Sequence, residues 1–100
     1  MFKSSLCNYG YTPLHLASEN GHLNFVKYLV EECKVDPNIK NNDGNTPLYK
    51  ASYYGKLDIV KCLVEECKAD PNIKNKCGYT PLYFASQYGK HDIVKYLESC

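Results

Sequence analysis

The sequence has no tryptophan, no arginine and one methionine among its 100 residues. All twelve basic residues are therefore lysines, and with eleven acidic residues they give a formal net charge of +1. A protein that binds nucleic acid by neutralising phosphates normally has a basic surplus, often with Arg to contact base edges. The balanced charge and the lack of Arg exclude a typical nucleic-acid binder.

Long hydrophobic runs are also missing. A membrane-spanning helix needs about 20 apolar residues, and no run in this sequence approaches that length. The first ten residues, MFKSSLCNYG, contain one lysine and no apolar stretch of about 7–15 residues, so we do not expect a secretory signal. These absences predict a protein that does not bind a membrane.

The six cysteines do not form a recognisable disulfide or zinc pattern, since no CxxC motif is present. Cys33 and Cys67 lie 34 residues apart in identical VEECK segments, and equivalent helices pack about 8–10 Å apart, too far for a disulfide. Cys62 and Cys67 are five apart on one predicted helix, a spacing that turns them about 140° away from each other. We predict reduced cysteines in an intracellular, cytoplasmic protein, with a metal or redox role as the alternative.

An internal repeat dominates the sequence. The string TPL begins at Thr12, Thr46 and Thr80, with an offset of 34 residues each time. Residues 12–45 and 46–79 are identical at 22 of 34 positions, and residues 46–66 and 80–100 at 14 of 21. We therefore predict one domain over residues 1–100, with a leader at 1–9 and repeat units at about 10–43, 44–77 and 78–100.

Each unit is predicted to contain two helices and an extended turn. The repeated Thr is an N-cap followed by Pro at the first helical position, and a first helix then ends at Gly21, Gly55 or Gly89. In the second helix, apolar residues recur at helical spacing, as in Val60, Leu63, Val64 and Cys67. Helices of about 8–11 residues are marginal alone, so neighbouring units must stabilise one another, as in a solenoid.

The segments TPLHLASENGH and TPLYKASYYGK, with VDPN and ADPN, closely resemble ankyrin repeats over residues 8–100. The resemblance implies an all-α ankyrin-repeat solenoid of paired antiparallel helices joined by β-hairpin loops. It also implies a non-catalytic module that binds a protein partner at the hairpin tips and the concave face of the first helices. No catalytic motif is present, and we expect no cofactor and no metal.

Two departures from the family pattern concern the framework. The period is 34 rather than 33, and Cys-Lys replaces the usual glycine at the end of the second helix, where Lys34 or Lys68 is expected to close the helix. The family's TPLH histidine is present only as His15, with Tyr49 and Tyr83 at the equivalent places. Either a phenol hydroxyl substitutes for the bracing histidine, or the brace is lost.

The two ends of the array differ in polarity. The third unit has His91 and Glu98 where the other units have Leu and Val, and both swaps lie on one helix face, as in a C-terminal cap. The first unit has no such swaps. Either Phe2 and Leu6 cover its N-terminal edge, or that edge joins a second molecule; a monomer is expected otherwise.

Ten tyrosines are the main candidates for function. Six of them occupy positions that the ankyrin family leaves variable, at hairpin tips or the end of the first helix. Tyr supplies large, stiff contact area with a polar tip, which suits an interface; the alternative is that Tyr is simply frequent in this chain. The resemblance assigns the following residues to partner binding: Tyr9, Tyr11, Asn42, Asp43, Asn45, Lys50, Tyr53, Tyr54, Tyr79, Phe84, Gln87 and Tyr88.

Overall fold

A computed structural model describes residues 11–100. They form six α-helices: α1 (Pro13–Asn20), α2 (Leu23–Glu31), α3 (Pro47–Tyr53), α4 (Leu57–Lys61), α5 (Pro81–Gln87) and α6 (His91–Glu98). A π-helical segment, Cys62–Glu66, continues α4 without interruption. No strand occurs in the described part of the chain. The all-α architecture predicted from the repeat is therefore confirmed.

The first helices begin and end where the sequence predicts. In all three, the Thr hydroxyl accepts a hydrogen bond from the backbone N–H three residues later, and Pro occupies the first turn. Gly21 follows α1 with a φ of 76°, a left-handed conformation that glycine adopts at little cost. Local sequence thus fixes the length of these short helices.

The helices pack in two rows. Helix α3 lies between α1 and α5, and each of these first helices also packs on the second helix of its own unit. The core between the rows contains fully buried Leu14, Leu48, Ile59, Leu63 and Ile93. Because each unit contributes to the same apolar cluster, the units stabilise one another.

The loops between units are tight turns that resemble hairpins. The Asn41 N–H donates to the Asn45 carbonyl at 3.0 Å, and the Asn75 N–H donates to the Tyr79 carbonyl at 2.9 Å. Gly44 has a φ of 79°, and a Cβ added there would lie 3.0 Å from the Lys76 nitrogen. Glycine at this position therefore serves both the left-handed turn and the close approach of the next loop.

The second helices of the first two units close at a lysine, where the family usually has a glycine. Lys34 and Lys68 take the left-handed conformation, with φ values of 59° and 61°. The Val35 N–H then donates to the Leu29 carbonyl at 3.0 Å, and Ala69 repeats this bond to Leu63 at 2.8 Å. Each of these bonds joins residue i+6 to residue i, one residue wider than the i+5 to i bond of the Schellman motif. Lysine takes the left-handed position where glycine is usual.

The extra residue of the 34-residue period coincides with a change of helix type. The Cys67 N–H donates to the Cys62 carbonyl at 3.0 Å, a bond between residues i and i+5. The expectation that Cys62 and Cys67 face different sides of an α-helix is wrong, because a π-turn has more residues per turn and returns i+5 to the same side. Both residues are buried in the core.

Candidate partner-binding surface

His15 ties the first unit to the loop of residues 41–45. Its side chain is fully buried, and its Nε2 lies 2.8 Å from the Asn45 carbonyl oxygen. The Thr12 N–H donates to His15 Nδ1 at 3.2 Å, so Nδ1 is the acceptor and Nε2 carries the proton. Burial lowers the pKa of His15 below its ordinary value. The imidazole is thus a neutral brace in the framework.

The equivalent tyrosines do not take over this brace. Among the residues that the structure describes, neither the Tyr49 nor the Tyr83 hydroxyl donates to a loop backbone. Instead, two hydrogen bonds join the loops of residues 41–45 and 75–79. The Asn75 Nδ2 donates to Asn45 Oδ1 at 3.0 Å, and the Lys76 N–H donates to the Asp43 carbonyl at 3.0 Å. The phenol substitution considered from sequence is therefore wrong at these positions.

Tyr49 and Tyr83 instead belong to a continuous group of aromatic rings on α3, α5 and the loop of residues 75–79. We call this group the aromatic surface; it consists of Tyr49, Tyr53, Tyr54, Tyr79, Tyr83, Phe84 and Tyr88. The Tyr53 ring lies between its neighbours, with centroids 4.9 Å from Tyr54 and 4.6 Å from Tyr88. The surface therefore crosses from the second unit to the third.

Phe84 connects the two sides of the aromatic surface. Its ring meets Tyr49 edge-on at 4.4 Å and lies parallel to Tyr88 at 6.2 Å. On the loop side it meets Tyr79 edge-on at 5.5 Å. Offset and edge-to-face arrangements at these distances are the favourable ones for aromatic rings, so the rings hold one another in place before any partner binds.

Several of these rings nevertheless remain open to solvent. Tyr54 and Tyr88 are 46% and 51% exposed, while Phe84 and Tyr53 beneath them are half-buried. Burial of Tyr49 raises the pKa of its hydroxyl to about 12, so this phenol is neutral at physiological pH. The surface thus presents apolar faces with uncharged hydroxyl groups at the edges.

Lys50 and Glu19 neutralise each other at one end of the aromatic surface. Their charged groups are 3.5 Å apart, and the Tyr11 hydroxyl donates a hydrogen bond to the same carboxylate. The Lys50 ammonium also lies 4.8 Å from the Tyr11 ring centroid and 5.4 Å from that of Tyr54. Tyr11 and Lys50 therefore support the surface from within the molecule.

The other residues assigned from sequence are placed as follows. Asn42, Asp43 and Gln87 are exposed, as expected for residues at loop tips and at a helix end. Asn45 is only 9% exposed and holds His15 and Asn75, which corrects the expectation that it is an accessible tip residue. Tyr9 lies outside the described residues.

Sequence reasoning left Tyr49 and Tyr83 out of the binding surface because it gave them the framework role of His15. Tyr83 is 37% exposed and stacks on Tyr79 with centroids 4.1 Å apart. The exposure of these rings could have been predicted from the replacement of His by Tyr, since a phenol is longer than an imidazole and has a different hydrogen-bonding geometry.

A second exposed aromatic pair lies at the N-terminal edge. Phe25 and Tyr28 stack with centroids 6.2 Å apart and are 45% and 53% exposed. Ile59 and Ile93, at the position equivalent to Phe25, are fully buried. Phe2 and Leu6, which the sequence offered as a cover for this edge, lie outside the described residues. At the other end, His91 and Glu98 are exposed, as a polar cap requires.

Two features are absent from residues 11–100. No helix there has the length and apolar character that crossing a membrane requires. Within the same residues, no group of three or more His, Cys, Asp or Glu side chains is arranged to hold a metal ion.

Comparison with known proteins identifies the repeats. A family model described as ankyrin repeats (3 copies) matches residues 33–99, and a second, described as ankyrin repeats (many copies), matches residues 4–48. Together the two matches cover all three TPL segments. No curated protein matches the chain.

Proposed function

Since the chain belongs to the ankyrin repeat family, whose members are generally protein–protein interaction modules, we propose that it binds a protein partner through its aromatic surface. The observation that carries this proposal is the continuity of the rings across two units. The rings of Tyr53, Phe84 and Tyr88 contact one another, and Tyr88 is exposed while the other two are half-buried. Contiguous exposed aromatic side chains are where interface energy is usually concentrated.

The chemistry of the surface favours a partner with an apolar contact patch and backbone or side-chain hydrogen-bond acceptors. The Lys50–Glu19 pair leaves no net charge at its end of the surface. Tyr rings offer area for apolar contact, and their hydroxyls donate hydrogen bonds at the rim. Because the rings are already packed against each other, binding would freeze few additional torsions, which reduces its entropic cost. The expected function is non-catalytic, without a cofactor or nucleic acid.

The loop tips extend the proposed surface. Asn42 and Asp43 are exposed and lie on the loop that packs against the next loop, where the Lys76 N–H donates to the Asp43 carbonyl. Gln87 is exposed next to Tyr88. We assign these polar residues to the rim of the interface, where they would set orientation more than affinity. Asn45 is left out because it is buried, and Tyr9 lies outside the described residues. Tyr11 and Lys50 are assigned to the support of the surface.

The experiment is affinity capture with quantitative mass spectrometry, using three forms of the chain. The wild type is compared with the double variant Tyr54→Ala/Tyr88→Ala and with Tyr28→Ala. Tyr28 is 53% exposed but lies on α2, away from the aromatic surface, so it controls for the loss of an exposed tyrosine. We expect proteins that are retained by the wild type and Tyr28→Ala but lost with the double variant. If the same proteins are retained by all three forms, the proposed surface is wrong.

Self-association through the N-terminal edge is a second candidate function, favoured by the exposure of Phe25 and Tyr28. At the place of Phe25, the other two units have fully buried isoleucines, so this edge has the composition of a face that normally packs on another unit. Light scattering over a range of concentrations tests it. A mass that rises with concentration in the wild type but not in Phe25→Asp would support a dimer, and a constant monomeric mass would exclude it.

A further inference from the structure

The π-turn after α4 brings together two cysteines that have no part in the proposed interaction surface. Cys62 and Cys67 are the first and last residues of the turn closed by the hydrogen bond from the Cys67 N–H to the Cys62 carbonyl, at 3.0 Å. A turn closed by an i+5 to i hydrogen bond brings its end residues about one helical pitch apart, so we expect a Cα separation of about 5–6 Å. Disulfides use Cα separations of about 4.4–6.8 Å.

Both thiols lie in the core on the same side of the helix. Cys62 is 3% exposed and Cys67 is 8% exposed, and both belong to the cluster formed by the second helices and their neighbours. Burial raises the pKa of the Cys62 thiol to about 12, and the charge of the neighbouring Cys67 contributes to this increase. Both cysteines are free in this structure.

We propose that Cys62 and Cys67 form a redox-active pair that closes to an intramolecular disulfide in exchange with a low-molecular-weight disulfide such as oxidised glutathione. Cys67, the more exposed of the two, gives up its proton and attacks one glutathione sulfur. This attack breaks the glutathione disulfide and releases one glutathione thiolate. Cys62 then loses its proton and attacks the mixed disulfide at the Cys67 sulfur, releasing the second glutathione. The two protein thiols are oxidised by two electrons, one glutathione disulfide is reduced, and the two released thiolates take up the two protons.

Burial determines how this pair would behave. Protonated thiols in the core react slowly, because the thiolate is the nucleophile and must be exposed to attack. Exchange therefore requires local opening of the end of the second helix, next to the left-handed Lys68. Once formed, the disulfide would join the two ends of the π-turn and would itself be shielded from reduction.

The first unit provides an internal comparison. It makes the same backbone closure, with the Cys33 N–H donating to the Tyr28 carbonyl at 3.1 Å, but Tyr28 stands where the second unit has Cys62. Cys33, Cys77 and Cys100 are exposed. Within the described residues, the second unit thus has the one cysteine pair that a π-turn brings to the same face of a helix.

The test measures the disulfide equilibrium in the folded and unfolded chain. A variant with Cys7, Cys33, Cys77 and Cys100 replaced by Ser keeps the pair and is equilibrated with reduced and oxidised glutathione, once in buffer and once in urea. The samples are quenched with acid, and intact mass reports the loss of two hydrogens. We expect the equilibrium constant for closure to be at least about tenfold higher in buffer than in urea, which corresponds to about 30 mV.

Two controls make the outcome decisive. Adding Cys67→Ser to the same variant should abolish the loss of two hydrogens. Peptide mapping of the oxidised wild type should show the Cys62–Cys67 bridge. This measurement tests for the disulfide in a chain without serine substitutions. An equilibrium constant that is equal or lower in buffer than in urea, or a wild type bridged between other cysteines, would overturn the proposal.

Discussion

The Nε2 of His15 lies 2.8 Å from the carbonyl oxygen of Asn45, thirty residues further along the chain. This bond connects the first helix of one unit to the loop that precedes the next, and it requires a neutral imidazole, because Nδ1 accepts from the Thr12 N–H. Asn45 continues the connection through its side chain to Asn75. A chain of hydrogen bonds therefore links the first helix of the first unit to the two loops that separate the units.

The buried imidazole predicts how stability depends on pH. Burial lowers the pKa of His15 in the folded chain, so the unfolded chain, with its ordinary pKa of 6.5, takes up the proton first as pH falls. The free energy of unfolding should therefore be fully maintained above about pH 6.5 and should decrease as pH falls toward the lower folded pKa. Urea denaturation at pH 7.5, 6.5 and 5.5 measures this change.

His15→Gln is the control for that experiment. Glutamine retains a donor for the Asn45 carbonyl but does not titrate, so the variant should lose much less stability between pH 7.5 and 5.5 than the wild type. His22 and His91 are exposed and present in both proteins. Equal pH dependence in the two proteins would show that His15 does not cause the effect.

The left-handed lysines predict a stabilising substitution. Lys68 has a φ of 61°, where a side chain costs about 1 kcal/mol and glycine does not. Lys68→Gly should raise the free energy of unfolding by about 0.5–1 kcal/mol. Lys61→Gly is the matched control: Lys61 is exposed and helical, with a φ of −62°, so glycine there should cost about 1 kcal/mol. Destabilisation by both substitutions would contradict the assigned helix end.

A buried hydroxyl predicts a second stabilising change. The Ser52 hydroxyl is fully buried and has no hydrogen-bond partner among the described residues. Ser52→Ala removes an unsatisfied polar atom and favours the helix, so we expect a gain of about 0.5–1 kcal/mol in the free energy of unfolding. Ser86, at the equivalent place in the third unit, is exposed, and Ser86→Ala should gain less. A loss of stability in Ser52→Ala would mean that the hydroxyl has a partner.

Truncation in the core should have the opposite effect. Leu63 is fully buried between the rows of helices, and Leu63→Ala should cost about 2–5 kcal/mol through lost burial and the cavity left behind. A stack of this size has little stability to spare, so we expect extensive unfolding at 37 °C. Circular dichroism on heating measures the effect. A melting temperature within a few degrees of the wild type would show that the units are not held by this core.

The sequence predicts the features that depend on the conformational preferences of neighbouring residues in the chain. The Thr caps, the Pro residues of the first turn and the left-handed glycines after the first helices all follow from the conformations that single residues favour. The sequence also predicts that Lys34 or Lys68 closes the second helix, but not that these lysines are left-handed. The repeat then predicted the solenoid, because short amphipathic helices need neighbours. These features cover the helices and the location of much of the aromatic surface.

The remaining features depend on how the units fit together. The sequence does not reveal the π-turn, because a regular helical period of 3.6 residues predicts Cys62 and Cys67 on different sides. The sequence predicts Asn45 as an exposed tip because polar loop residues are usually exposed. In the structure its carbonyl accepts from His15, and its side-chain oxygen accepts from Asn75 of the next loop. The repeat position predicts the role of His15 for Tyr49 and Tyr83, but a phenol has a single oxygen and cannot contact both sides as the two imidazole nitrogens do.

The most direct test of the aromatic surface is the affinity of a captured partner for single variants, measured by titration calorimetry. Tyr54→Ala and Tyr88→Ala should each weaken binding by about 1–3 kcal/mol, while their melting temperatures stay within a few degrees of the wild type. Tyr28→Ala, which removes an equally exposed ring from α2, should leave the affinity unchanged. If Tyr28→Ala weakens binding as much as Tyr88→Ala, or if neither Tyr54→Ala nor Tyr88→Ala weakens it, the partner does not bind the aromatic surface.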